Sequence, residues 1–263
     1  MNYRVSWTPR PGLSQLVRPG DAGLKYLGFG VLSLAPGAKY VLEPAAKETA
    51  LVLLMGTATI TGPGLGSQTL GPRENPFDAK PWTVYLPAQH GCEIVAGADT
   101  QIAVCQAPSM RKGEPAVIPP EKVREMTLGK GNWQRRALLI VDETVAAEYL
   151  FLGEALVPPG NWASFPPHRH DKDDLPHEVD MEEVYYFRFD KPHGFGIQKI
   201  YTDSRSIDET LTLTEHDTVL IPEGYHPVVT APGYAMYYLW IMAGKNRRFL
   251  SRLDPVHQWV VQG

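Results

Sequence analysis

The stretch "PPHRHDKDDLPHEVDMEEVYYFRF", Pro166 to Phe189, runs two histidines and a dense acidic segment into a glutamate pair and an aromatic run. In an extended strand, successive side chains point to opposite sides. His168 and His170 therefore share one face. Further along, Glu183, Tyr185 and Phe187 share a face while Glu182 points the other way. Short runs of the same character recur through the chain: "KYLGFGVLSL", "ALVLLM", "WTVYLP", "RRALLIV", "EYLFLGEALV", "GIQKIY", "TVLIP" and "AMYYLWIM". Glycine-proline clusters separate them, and capped amphipathic helical stretches are scarce. This pattern predicts an all-β sandwich or barrel.

A chain of 263 residues is long enough for one large domain or two of ordinary size. Its formal net charge of −4 comes without a basic block, which argues against nucleic acid or an anionic membrane surface as partner. The opening "MNYRVSWTPRPG" has no apolar core of a signal peptide, and no later apolar run approaches a membrane span. Cys92 and Cys105 alone do not make a disulfide framework. A cytoplasmic protein is expected.

Self-comparison reveals a repeat. Tyr26-Leu27 precedes Pro36-Gly37 by the spacing that separates Tyr149-Leu150 from Pro159-Gly160, and Pro44 and Pro167 follow in the same register. "YLPAQHG", from Tyr85, is similar to "LIPEGYH", from Leu220. Three matches in register predict two copies of one β-domain, residues 1–110 and 135–263, joined by a proline- and charge-rich connection over 111–134. The repeat also serves as an internal control. Ala45, Lys47 and Gly91 stand where the second copy has His168, His170 and His226, so the shared fold does not require those histidines.

A transition metal needs three or four N/O ligands converging from separate elements. Singly, each candidate has an ordinary explanation: a surface His-x-His pair, a solvated edge at Glu182-Glu183, a core histidine at 226. Occurring in order on expected strands, and absent from the sister copy, His168, His170, Glu183 and His226 together predict a site for one divalent transition metal. Zinc is the first expectation, with Mn, Fe and Ni as alternatives. Glu183 is preferred to Glu182 as the ligand.

The order His-x-His, then Glu before an aromatic strand, then His after a Pro-x-Gly turn resembles the cupin superfamily, and two tandem copies make a bicupin. The long acidic insert over 171–182 and the single residue between Gly224 and His226 depart from the usual cupin spacing. Together with "GEALVPPGNWASFPPHRHDKDD", "IQKIYTDSRSIDET", "GYHPVVTAPGY", "GKGNWQRR" and "DPVHQW", they resemble the 5-deoxy-glucuronate isomerase family of myo-inositol catabolism. A polar residue, usually Asn, is expected where Trp240 stands, so no polar role is carried over to that position. The resemblance implies an aldose–ketose isomerisation of a small sugar-acid substrate. A metal suits this chemistry as a Lewis acid, and Glu183, Tyr185 and Lys199 are the candidate catalytic groups. Arg188, Gln198, Tyr201, Arg205 and Tyr238 are candidate substrate contacts. The alternatives are another metal-dependent cupin enzyme such as a dioxygenase, a related uronate isomerase, or a non-catalytic sugar-acid binder. Assembly into a homo-oligomer is compatible with each.

One metal ion per chain is expected, bound in the second copy. Elemental analysis of the purified protein tests this, and a second stoichiometric ion placed within residues 1–110 would contradict it.

Overall fold

The computed structural model describes residues 1–262. Antiparallel strands dominate, with only single helical turns between them and one four-residue α-helix, Trp259–Gln262. No helix among the described residues is long and apolar enough to cross a membrane.

Two large sheets carry the same strand order. The first runs Ala116–Ile118, Thr83–Leu86, Lys47–Gly62, Thr100–Pro108, Gly28–Leu34, Gly12–Val17. The second runs Arg4–Val5, Thr218–Ile221, Glu182–Phe189, Met236–Ala243, Leu150–Val157, Arg135–Val141 and adds Arg124–Leu128 at its edge. The outermost strand of the second sheet comes from the start of the chain, and that of the first sheet from the connection. Arg4 and Val5 pair with Val219 and Thr218, while Val117 and Ile118 pair with Val84 and Thr83. Each of these strands closes one edge of a large sheet, which removes a row of unpaired backbone groups.

The register makes the repeat exact at the site. Glu183 lies opposite Ile221 and Met242, and Thr49 lies opposite Leu86 and Gln106. Thr49 thus stands where the second half has Glu183.

Strand alternation sorts the core into three parts. Outward-facing residues of both large sheets, among them Phe29, Val52, Leu152, Val184, Tyr186 and Leu239, pack together between the halves. The interior of the first half is filled by aliphatic side chains such as Leu32, Leu51, Leu53 and Ile102. The interior of the second half is aromatic, with Tyr185, Phe187, Tyr238 and Trp240. Gly153 pairs with Trp240 across the sheet, and a Cβ there would lie 2.3 Å from the indole, so only glycine leaves room for the ring.

Two buried carboxylates join the halves reciprocally. Glu182 accepts from the backbone N–H groups of Lys25, Tyr26 and Leu27 at 2.6–2.7 Å. Glu48, its counterpart, accepts from those of Glu148, Tyr149 and Leu150 at 2.7–2.8 Å. The Tyr26 and Tyr149 rings stack between them, 5.0 Å apart. A third link is the fully buried pair of Arg73 and Glu154, bidentate at 2.7 and 2.8 Å, with the Tyr237 hydroxyl donating to the same carboxylate.

Replacing Glu182 by Ala orphans three backbone donors and should lower unfolding stability by roughly 3 kcal/mol or more. Glu125→Ala, which removes only half-exposed ion pairs, should change it by less than about 1 kcal/mol. Urea titration followed by tryptophan fluorescence measures both, and equal effects would refute the assigned role of Glu182.

Candidate metal centre

The strand His168–Arg169 leads into His170. Glu183 lies on the inner face of Glu182–Phe189, and His226 follows the turn at Gly224. Gly224 has φ +98°, and a Cβ there would meet the Tyr201 carbonyl at 2.6 Å, so the turn demands glycine. One potential ligand atom from each of His170, Glu183 and His226 lies within 4.8 Å of the others, and all three residues are buried. Both imidazoles approach the same carboxylate oxygen: His170 Nε2 stands 3.1 Å from Glu183 Oε2 and His226 Nε2 3.2 Å. Donors about 2.0–2.2 Å from a tetrahedral ion stand roughly 3.3–3.5 Å apart, close to these separations.

The tautomers favour a cation. His226 Nδ1 donates to the Gly224 carbonyl at 2.8 Å, His170 Nδ1 to the Met181 carbonyl, and His168 Nδ1 to the Pro166 carbonyl at 3.4 Å. A carbonyl only accepts, so each Nδ1 carries hydrogen and each Nε2 is free to be a ligand. His226 Nε2 is buried and takes no hydrogen bond although it faces a carboxylate. An orphaned acceptor beside an anion is an arrangement that a metal ion satisfies. Burial opposes ionisation of Glu183, but the adjacent His170 and His226 imidazoles outweigh it and hold its carboxyl down at about 2. Burial likewise disfavours the charged form of His170, yet Glu183 outweighs it and raises the imidazole's pKa. His168 is not among the three converging residues. Its ring lies 4.9 Å from that of His226, and burial, with the neighbouring imidazoles, pushes its pKa well down.

The cluster opens onto a cavity of 280 Å³, whose walls include His168, His170 and Glu183. Tyr185 and Tyr238 line it with ring centroids 4.5 Å apart, and the Tyr185 hydroxyl shares a 2.8 Å hydrogen bond with buried Ser164 Oγ. Burial drives the pKa of both phenols up, that of Tyr185 well above the ordinary value. Both remain protonated donors. Trp240 forms an apolar wall, tilted against Phe151 and Phe249.

The other candidates from sequence lie elsewhere. Gln198 is buried and donates to the His226 carbonyl at 2.6 Å, holding that backbone rather than lining the cavity. Tyr201 donates to Asp254 at 2.7 Å, and Arg205 lies over its ring, 4.3 Å from the centroid. Lys199 is paired with Asp208. Arg188 is paired with Glu215 and reaches Gln101 of the first half at 3.4 Å. The period of two explains the last pair: Arg188 shares the outward face of Glu182, and Lys199 alternates with buried Gln198 and Ile200. Conversely, sequence reading passed over Arg135, Ser164, Trp133 and Phe249, which line the cavity. "GKGNWQRR" held two of them, but only tertiary packing brings that segment to the site.

The acidic insert is a small hairpin, Asp171–Asp174 with Glu178–Asp180. Asp171 accepts from Gly224 N through both oxygens at 2.9 Å, tying the His170 strand to the His226 turn. Buried Glu178 holds Arg169 and Arg252, both at 3.2 Å. The segment braces His170 and the His226 turn and does not line the cavity.

The KduI/IolB family model matches residues 7–260. The chain belongs to the KduI/IolB family. It is 42% identical over 247 residues to 5-deoxy-glucuronate isomerase of Geobacillus kaustophilus, covering 94% of this chain and 90% of that one. Among solved structures in the family's likeness, an IolB-like protein of Salmonella typhimurium LT2 superposes with a TM-score of 0.94 at 34% identity, covering 99% of this chain and all of that one. Oxalate decarboxylase of Lactobacillus farciminis, 12% identical, covers all of this chain and 91% of its own with a TM-score of 0.70. That last likeness speaks to fold alone: an all-β bicupin, as the sequence resemblance implied.

His170→Ala should abolish metal retention on dialysis. Asp171→Ala, which frees the Gly224 turn without touching a ligand atom, should weaken metal affinity about 10-fold or more. Metal content and competition with a chromogenic chelator measure both, and wild-type affinity in Asp171→Ala would refute the bracing role.

Proposed function

We propose that the protein is a metal-dependent aldose–ketose isomerase converting 5-deoxy-D-glucuronate into 5-dehydro-2-deoxy-D-gluconate. The observation that carries this reading is the buried His170–Glu183–His226 cluster at a cavity, in a chain 42% identical to a protein named 5-deoxy-glucuronate isomerase. His168 is the proposed fourth ligand and zinc the first candidate ion, since three imidazoles and a carboxylate suit it. Bound there, the ion would act as a Lewis acid and offset negative charge developing on the oxygens of two adjacent carbons.

The protein's own groups then divide the remaining work. Glu183, held ionised on the cavity wall, is a proposed ligand and the proposed acceptor of the carbon-bound proton, which it returns to the former aldehyde carbon. Tyr185 and Tyr238, held protonated, donate hydrogen bonds to substrate hydroxyl or carbonyl oxygens. The Tyr185–Ser164 hydroxyl pair can pass a proton between neighbouring oxygens, a catalytic role that Lys199, paired outside the cavity, is not placed to take. Aromatic walls exclude water and strengthen each of these contacts. In this reading residues 135–263 form the catalytic domain, residues 1–110 a structural one, and 111–134 the connection.

Proton transfer through an enediolate is the expected route. The metal-loaded enzyme should isomerise 5-deoxy-glucuronate without oxygen or nucleotide, as followed by NMR. In deuterated water, solvent deuterium should appear on the former aldehyde carbon. No turnover would sink the assignment of function. Turnover with complete retention of the substrate hydrogen, even in the first few per cent of conversion, would replace the enediolate by a hydride shift.

A further inference from the structure

A sugar acid presents a carboxylate at the end of its chain remote from the aldehyde, and a buried carboxylate requires a cation. The cations first expected to meet it, Arg188, Lys199 and Arg205, are engaged with Glu215 and Asp208 outside the cavity. Among the described residues, Arg135 is the single Lys or Arg lining the cavity that holds His170 and Glu183. We propose that Arg135 is the carboxylate clamp that selects acidic over neutral sugars, an inference that rests on the sugar-acid reading above.

Three observations converge on it. First, among the described residues Arg135 has no carboxylate partner: its one side-chain hydrogen bond is from Nη1 to the Phe165 carbonyl at 3.4 Å, a long contact that leaves most of the guanidinium fork unused. Its neighbour Arg136 points to the opposite face and is paired with Glu125 at 2.9 Å, so the strand sends one arginine to an acid and the other, unpaired, to the cavity. Second, Arg135 is half-buried beside Trp133 and Phe165, where an uncompensated cation is costly and a ligand carboxylate would offset that cost. Third, its charge reaches the reacting end. Arg135 lines one 280 Å³ cavity together with His168, Glu183, Tyr185 and Tyr238. A carboxylate held on the fork would sit in the same small cavity as the metal cluster. A planar guanidinium binds a carboxylate by two parallel hydrogen bonds, which lysine cannot reproduce.

The test uses metal-loaded full-length protein and two non-isomerising probes of equal chain length, gluconate and its neutral counterpart sorbitol, with affinities from isothermal titration calorimetry. Wild type should bind gluconate more tightly than sorbitol. Arg135→Gln should lose gluconate affinity roughly 10- to 100-fold with sorbitol unchanged, and Arg135→Lys should fall between. Metal content and melting temperature, measured alongside, confirm that the variants are folded, and Arg135→Lys carries the comparison if Arg135→Gln is not. Gluconate affinity that is unchanged in the variants, or no preference for gluconate in wild type, overturns the clamp. In those cases the metal or nothing holds the carboxylate. A clamp that behaves as described in an enzyme that leaves 5-deoxy-glucuronate unreacted would instead retire the proposed reaction and keep the acid site.

Discussion

The alternation of side chains along Glu182–Phe189 is the constraint on which the rest of the molecule depends. Two adjacent glutamates serve opposite sides of one sheet. Glu182 turns outward and is neutralised by three backbone N–H groups of the first half. Glu183 turns inward and meets two imidazoles. Both carboxylates are buried, and neither tolerates burial without partners. A shift of one residue in register would exchange them, placing the metal ligand in the interface and the interface clamp in the cavity. Pairing to Thr218–Ile221 on one side and Met236–Ala243 on the other fixes that register.

Two halves with the same strand order use their interiors differently. In the first, Thr49 replaces the ligand glutamate and leucine and isoleucine side chains fill the barrel. In the second, tyrosine, tryptophan and histidine bring polar atoms inward, and those atoms need partners. Ser164, Asp171 and Gln198 supply them by bonding Tyr185, the Gly224 turn and the His226 carbonyl. The first half still contributes to the site: its Lys25–Leu27 backbone anchors the strand that carries Glu183, and its Arg4–Val5 strand completes one edge of the second sheet. The proposed division between a catalytic and a structural half has a physical basis, because a packed aliphatic barrel is a rigid platform.

The cavity concentrates a few charges in an apolar surround. One ionised carboxylate, the imidazole Nε2 atoms and the unpaired guanidinium of Arg135 are bounded by Trp133, Phe165, Trp240 and Phe249. Electrostatic interactions are stronger there than in water, so the position of each charge matters more than its number. Arg188, Lys199 and Arg205 are nearby in sequence but paired at the surface, where screening reduces their influence on the cavity.

The sequence by itself determined the all-β class, the tandem repeat and the four residues proposed as ligands, because these are written as local periodicity and as differences between two copies. The converging His170, Glu183 and His226 were legible since a strand's faces alternate and the sister copy lacks the chemistry, whereas His168, expected as a fourth ligand, lines the cavity beside them without joining the cluster. Tertiary structure alone decided which cation reaches the cavity. Arg135 lies far along the chain from Glu183, and nothing in its local pattern distinguishes it from Arg136. Arg188 and Lys199 had the right charge on neighbouring strands, but the faces of those strands turned them outward. The role of the acidic insert was likewise hidden. Asp171 and Glu178 resemble solvated charge in sequence and become braces only where folding brings Gly224, Arg169 and Arg252 against them, since a hydrogen bond depends on distance in space rather than along the chain.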